Sequence, residues 1–189
     1  MIYDNTGRRK YLTLTERRAF IEASSLLPPE ARAFCLVLAY TGARISEILA
    51  LAPERIDIDA GIIIIECLKK RRRGIFRSVP IPEFLLRELD DILQLTARLH
   101  TSQQKERIWL VSRTTAWKWV KLAMADAGVG MAQAMPKALR HSFGVCAIQK
   151  SVPLNMVQKW MGHARLSTTA LYADATGEEE QSIALRMWR

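Results

Sequence analysis

From Pro136 to Asp174 the chain reads PKALRHSFGVCAIQKSVPLNMVQKWMGHARLSTTALYAD. Its apolar spacing and its Pro and Gly breaks predict three helices, Leu139 to Lys150, Pro153 to Met161 and Thr168 to Ala173. Polar groups stand among them: Lys137, Arg140 and His141, then His163 directly after Gly162, then Tyr172 nine residues further on. Arg140 and His163 lie 23 residues apart, too far for one helical face, so a site using both must be assembled by folding. A second cationic element stands far upstream, Thr41-Gly42-Ala43-Arg44-Ile45-Ser46-Glu47.

Outward from that stretch the pattern stays mostly helical. Thr13-Leu14-Thr15-Glu16 has the spacing of a capping box, and an amphipathic segment follows to about Leu27. Pro28-Pro29 breaks it and starts a nearly all-apolar core helix from Ala31 to Tyr40. Gly42 permits a bend, and Ile45 to Leu51 restarts helical spacing until Pro53. Pro82 to about Ala97 carries Phe84, Leu85, Leu89, Ile92 and Leu93 at helical intervals, and His100 to Lys105 reads as loop. Trp109-Leu110-Val111 predicts a short extended piece, and Thr114 or Thr115 caps a helix running to about Ala127. Glu178 to Arg189 reads as a last amphipathic segment.

One region is β-rich. Ile56 and Ile58 begin extended structure, and Gly61 precedes the run Ile62-Ile63-Ile64-Ile65. Ile75 to Val79 follows the basic connection Lys69-Lys70-Arg71-Arg72-Arg73-Gly74, which predicts a hairpin. The fold class is therefore α+β, mainly α-helical, with a small three-stranded antiparallel sheet.

A chain of 189 residues with 49% hydrophobic and 25% charged content suits one domain. No apolar run approaches the roughly 20 residues that span a bilayer, and MIYDNTGRRK has no export signal, so a cytoplasmic protein with no membrane partner is expected. Three cysteines, Cys35, Cys67 and Cys146, are scattered among apolar neighbours and read as reduced, buried thiols. No paired Cys or His spacing suggests a metal, and no cofactor is expected. Lys plus Arg number 28 against 19 Asp plus Glu, and that surplus of +9 favours a polyanion such as double-stranded DNA.

The scattered polar groups suit phosphodiester cleavage by side-chain attack. That chemistry needs a nucleophile, neutralisation of charge on the non-bridging oxygens, and a proton for the leaving oxygen. Arginine is permanently charged and grips phosphate bidentately. One charge pair at about 4 Å is worth roughly 4 kcal/mol at an effective dielectric near 20, so two arginines can stand in for a divalent metal. Each residue also has an ordinary structural role. Arg44 can pair with Glu47 at i,i+3, His163 can end a helix, Tyr172 can be a core aromatic, and Lys69 to Arg73 can be a solvated loop.

Taken together, Arg44 with Glu47, Lys69 or Lys70, Lys137-x-x-Arg140-His141, Gly162-His163 and Tyr172 resemble the catalytic domain of tyrosine recombinases, the phage integrase family. The resemblance covers nearly the whole chain from about Leu12, leaving 1–11 as an N-terminal extension and 12–189 as the catalytic domain. It implies site-specific recombination or integration, in which Tyr172 attacks the scissile phosphate, forms a 3′-phosphotyrosyl link and releases a 5′-hydroxyl. Arg44 and Arg140 would clamp the phosphate and His163 would donate to it. Lys69, or in its place Lys70, would protonate the leaving oxygen, and Arg71, Arg72 and Arg73 would bind DNA. Glu47 and His141 would support the site.

The chain departs from the family pattern at three places. Lys137 stands where the family most often has histidine; an ammonium can only donate, so Lys137 is assigned to phosphate charge and the base to water or the phosphate itself. The basic hairpin is longer than the family's usual turn. The family's separate N-terminal core-binding domain is not expected in this sequence, so either the catalytic domain works alone, or a longer chain, a separate core-binding domain or a partner recombinase supplies the rest of the clamp. The segment after Tyr172 would either link a homotetramer on DNA or fold back in cis. Two rival readings are a type IB topoisomerase and a DNA-binding accessory with the same fold and no turnover. The expected setting is a prokaryotic cell, phage- or plasmid-encoded and nucleoid-associated.

Overall fold

Thr13 caps the first helix, α1 (Leu14–Ala23), through a capping box: its hydroxyl accepts from Glu16 N–H, and the Glu16 carboxylate accepts from Thr13 N–H. The chain is described here from a computed structural model that covers residues 3–68 and 74–173, with Leu185 and Trp188 beyond them. Lys69 to Arg73 and the rest of the segment after Ala173 lie outside the described residues.

Proline at the first position starts α2 (Pro29–Thr41), which buries nine of its residues and runs through the centre of the molecule. Its Arg32 pairs with Glu88 on a neighbouring helix, so the one basic side chain on this core helix is satisfied at the edge. Gly42 ends α2 in the left-handed conformation, and α3 (Ile45–Ile48) begins three residues later. That helix is a single turn, shorter than the expected Ile45 to Leu51. Pro53 opens a 3₁₀ turn into the sheet instead of ending a helix.

The sheet comprises β1 (Ile56–Asp57), β2 (Ile62–Glu66) and β3 (Phe76–Pro80), antiparallel in the order β1-β2-β3. Ile63 pairs with Val79 and Ile65 with Arg77. Period-two alternation therefore sends Ile63, Ile65, Val79 and Arg77 to the same buried face. An arginine there is the one charged side chain on an otherwise apolar strand face.

Beyond the sheet, α4 (Glu83–Leu93) and α5 (Leu95–Leu99) replace the single helix expected from Pro82 to Ala97. The Asp90 carboxylate accepts from both the N–H and the hydroxyl of Thr96, which holds Gln94 left-handed at φ 51° and turns the chain. Trp109 is not in a strand; its indole N–H donates to Glu30 O at 2.9 Å and its ring meets the edge of Phe34, so it packs as a plug on α2. Ser112, not Thr114 or Thr115, caps α6 (Arg113–Asp126) by accepting from Thr115 N–H. The last helices are α7 (Pro136–Gln149), α8 (Leu154–Met161) and α9 (Leu166–Ala170).

Two apolar clusters result. The larger joins α2 to the sheet, α4 and α6; the smaller gathers Tyr11, Val145, Ala147, Val157, Met161 and Tyr172. Cys35 and Cys67 are buried, and burial pushes the Cys35 thiol up to about 12, whereas Cys146 is only partly covered. Among the described residues no helix is long and apolar enough to cross a membrane, and no group of three or more His, Cys, Asp or Glu side chains is placed for a metal.

Candidate active site

Folding brings the scattered polar groups to one cleft of about 790 Å³. Arg44 enters from the N-terminus of α3, Lys137 and Arg140 from successive turns of α7, His163 from just beyond α8, and Tyr172 from the turn after α9. Tyr172 thus follows a helix that ends at Ala170 instead of lying within it. Leu68, the last described residue before Lys69, also lines the cleft. Lys69, Lys70, Arg71, Arg72 and Arg73 themselves lie outside the described residues.

Among the described cations that line the cleft, Arg140 is the most deeply set. One guanidinium nitrogen donates to Gly42 O and another to Met161 O, each at 2.6 Å, which leaves its remaining N–H groups for a ligand. Burial, then the charge of Arg44, lowers its pKa to about 10, so it stays charged at neutral pH but in a field that favours an incoming anion. Arg44 lines the cleft, half-buried, and makes the expected i,i+3 pair, its guanidinium donating to Glu47 Oε1 at 2.8 Å. Burial alone would raise the Glu47 carboxyl. The hydrogen bond and charge of Arg77, with those of Arg44, hold it below its ordinary value.

Tyr172 is 4% exposed, and its hydroxyl stands 3.2 Å from His141 Nδ1. Its ring stacks on His163 at 5.9 Å between centroids and lies flat against Gly144, where an added Cβ would come within 2.7 Å of the ring. Glycine in the middle of α7 therefore makes room for the phenol. Burial raises the Tyr172 pKa, against the opposing pull of Arg140 and Arg44, so the free protein keeps the phenol protonated.

Both histidines are held neutral. Burial, followed by Lys137 and Arg140, lowers His141 to about 4; burial, followed by Arg140 and Arg44, lowers His163 to about 4. Thr169, fully buried, meets His163 Nδ1 through its hydroxyl at 2.9 Å. If that hydroxyl donates, the tautomer with the proton on Nε2 follows, and His163 presents a donor to the cleft. Lys137 is exposed at the cleft rim.

Sequence reasoning passed over Arg77 and Thr169 and gave His141 only a supporting part. Arg77 left a signal: an arginine two residues before Val79, on the inward phase of a strand. The other two depend on contacts 31 and 6 residues apart in sequence that no periodicity announces.

Comparison with known proteins identifies the family and the fold. Residues 10–179 match the model of the phage integrase family, and the chain belongs to that family. Its fold is that of the tyrosine recombinase catalytic domain, and its curated relatives are tyrosine recombinases. Tyrosine recombinase XerA of Thermococcus onnurineus is 31% identical over 176 residues, covering 89% of this chain and 59% of that protein. XerA of Pyrococcus furiosus is 29% identical over 173 residues (89% and 58%), and XerD of Vibrio cholerae 27% over 159 (80% and 51%). The chain thus spans between half and three-fifths of these relatives' length. In fold it is similar to a crystal structure of XerA recombinase, with TM-score 0.75 and 23% identity over 95% of this chain and 65% of that one. It is also similar to XerH bound to its difH substrate, with TM-score 0.74 and 20% identity over 99% and 60%.

Proposed function

We propose that this chain cuts and rejoins double-stranded DNA as a tyrosine-type site-specific recombinase. The observation that carries this reading is the position of the Tyr172 hydroxyl, hydrogen-bonded to His141 in the cleft that Arg44, Lys137 and Arg140 line. Tyr172 Oη bonds to the scissile phosphorus as the P–O5′ bond breaks, leaving a 3′-phosphotyrosyl end and a 5′-hydroxyl. Attack by a 5′-hydroxyl reverses the step without ATP. Arg44 and Arg140 hold the non-bridging oxygens, with Lys137 adding charge at the rim and His163 donating a hydrogen bond.

His141 orients the phenol in the free protein. The proton leaves only when the phosphate arrives, to a phosphate oxygen or to water, because an imidazole near 4 is too weak to hold it. Lys69, with Lys70 as its substitute, protonates the leaving 5′-oxygen, and Arg71, Arg72 and Arg73 contact the DNA backbone. The family membership, the net charge of +9 and the DNA-bound relative support DNA as the partner. A homotetramer on DNA, a core-binding domain or partner recombinase, and a cytoplasmic, nucleoid-associated setting complete the proposal.

Covalent capture tests it. Wild type and Tyr172→Phe are mixed with nicked suicide duplexes drawn from the DNA flanking the gene. An SDS-stable adduct with wild type alone is expected. Binding without any adduct would point to an accessory role, and relaxation of supercoiled DNA without strand exchange to a topoisomerase.

A further inference from the structure

We infer that Arg77 is a positioning residue for DNA cleavage, a buried strut that sets the phosphate clamp and the His163 turn in one geometry. The inference rests on the recombinase reading. Arg77 Nη2 donates to Glu47 Oε2 at 2.6 Å, and the other Glu47 oxygen holds Arg44. Arg77 Nε donates to Trp160 O at 2.7 Å, at the end of α8. Its Nη1 lies 3.2 Å from Cys67 Sγ, at the base of the basic hairpin. A single side chain on β3 therefore touches the support of Arg44, the turn that leads into His163, and the strand end that leads to Lys69.

The packing leaves this strut little freedom. The Arg77 and Glu47 side chains are 3% and 0% exposed, so the pair has no water to fall back on. Gly162 sits left-handed at φ 66° directly over the guanidinium, where an added Cβ would lie 3.1 Å from Arg77 Nη1 and from Cys67 Sγ. Glycine before His163 thus relieves both backbone strain and crowding against Arg77. Trp160 O, which accepts from Arg77, and Met161 O, which accepts from Arg140, are adjacent carbonyls, so both arginines hang on the same helix end. A buried ion pair contributes little net stability compared with an apolar pair of the same volume, so its value lies in fixing position.

The test compares the full chain as wild type, Arg77→Met, Arg77→Lys, Arg44→Ala and the Arg44→Ala/Arg77→Met double variant. The substrates are nicked suicide duplexes carrying either an ordinary phosphodiester or an uncharged methylphosphonate at the scissile position. Arg77→Met is expected to slow adduct formation about 10²-fold on the phosphodiester, as a misplacement near 1 Å does, and far less on the methylphosphonate, which needs less clamping. It should add no further loss in the Arg44→Ala background. Arg77→Lys, which keeps the charge toward Glu47 and loses the planar fork, should recover part of the rate. Equal losses on both substrates, or additive losses in the double variant, overturn the inference.

Amide hydrogen exchange gives a second readout that needs no chemistry. In Arg77→Met, exchange at Arg44 and His163 should speed up together while α2 and α4 stay protected. Unchanged exchange at both sites overturns the strut whether or not the protein cleaves DNA. If no variant, wild type included, forms an adduct, the recombinase reading fails and exchange alone decides the role of Arg77.

Discussion

Arg140 and Tyr172 face the same cleft, yet they are held there differently. Arg140 is tied by two 2.6 Å hydrogen bonds to backbone carbonyls on separate elements, and Arg44 by a carboxylate that Arg77 also grips. Tyr172 has one hydrogen bond of 3.2 Å, a stacked imidazole, and the apolar contacts of the smaller cluster. Charge-assisted bonds in a buried setting prescribe distance and angle, whereas packing prescribes mainly volume. The two arginines are therefore fixed in distance and angle, whereas Tyr172 is fixed mainly by the shape of its packing; under the proposed function, the first would be a preorganised phosphate clamp and the second its nucleophile.

Removing the phenol breaks the comparison most completely: Tyr172→Phe should abolish covalent adduct while leaving DNA affinity nearly unchanged in a gel-shift titration. Arg140→Ala should slow single-turnover adduct formation about 10²- to 10³-fold, the usual cost of one charged donor at a reacting oxyanion. It should also lower stability by about 1–3 kcal/mol for each carbonyl left unpaired, read by urea unfolding. Gly144→Ala probes the packed half. Its new methyl displaces the Tyr172 ring, so cleavage should fall about 10²-fold while urea stability changes by about 1–3 kcal/mol at most. Wild-type cleavage by Gly144→Ala would show that packing does not place the nucleophile.

Two pH experiments sharpen the contrast. The Glu47 carboxyl titrates below its ordinary 4.5 in the folded protein, so the unfolded chain takes up that proton first. Its contribution is fully present above pH 4.5 and is lost as pH falls through the folded value. Glu47→Gln should thus cost about 3–5 kcal/mol at neutral pH, with the gap to wild type closing in acid. The smallest effect concerns His141 and His163, both lowered from 6.5 to about 4. The unfolded chain again binds protons first, so their contribution is complete above pH 6.5 and lost as pH falls toward 4. Their imidazole NMR signals in the free protein should stay unshifted from pH 8 to about 5.5; titration near 6.5 would mean that the cleft is wetter and looser than its geometry implies.

Periodicity and punctuation were enough to read α1 with its Thr13 capping box, the core helix α2 and the three-stranded sheet; Arg44, Lys137, Arg140, His163 and Tyr172 were singled out by a family resemblance, and the fold gathers them in one cleft. These signals are local, because a helix face or a strand phase is written within a few residues of itself. Local reading failed where a competing side-chain hydrogen bond, near or distant in sequence, decided the backbone. Asp90 turned one expected helix into two, Trp109 docked on α2 instead of pairing in a sheet, and Ser112 took the cap assigned to Thr114 or Thr115. Tertiary structure alone decided that Arg77 faces inward onto Glu47, that His141 meets the Tyr172 hydroxyl, and that Thr169 sets the His163 ring. The Arg77–Glu47 and His141–Tyr172 contacts join groups 30 and 31 residues apart, and their energies depend on burial that exists only once the chain has folded.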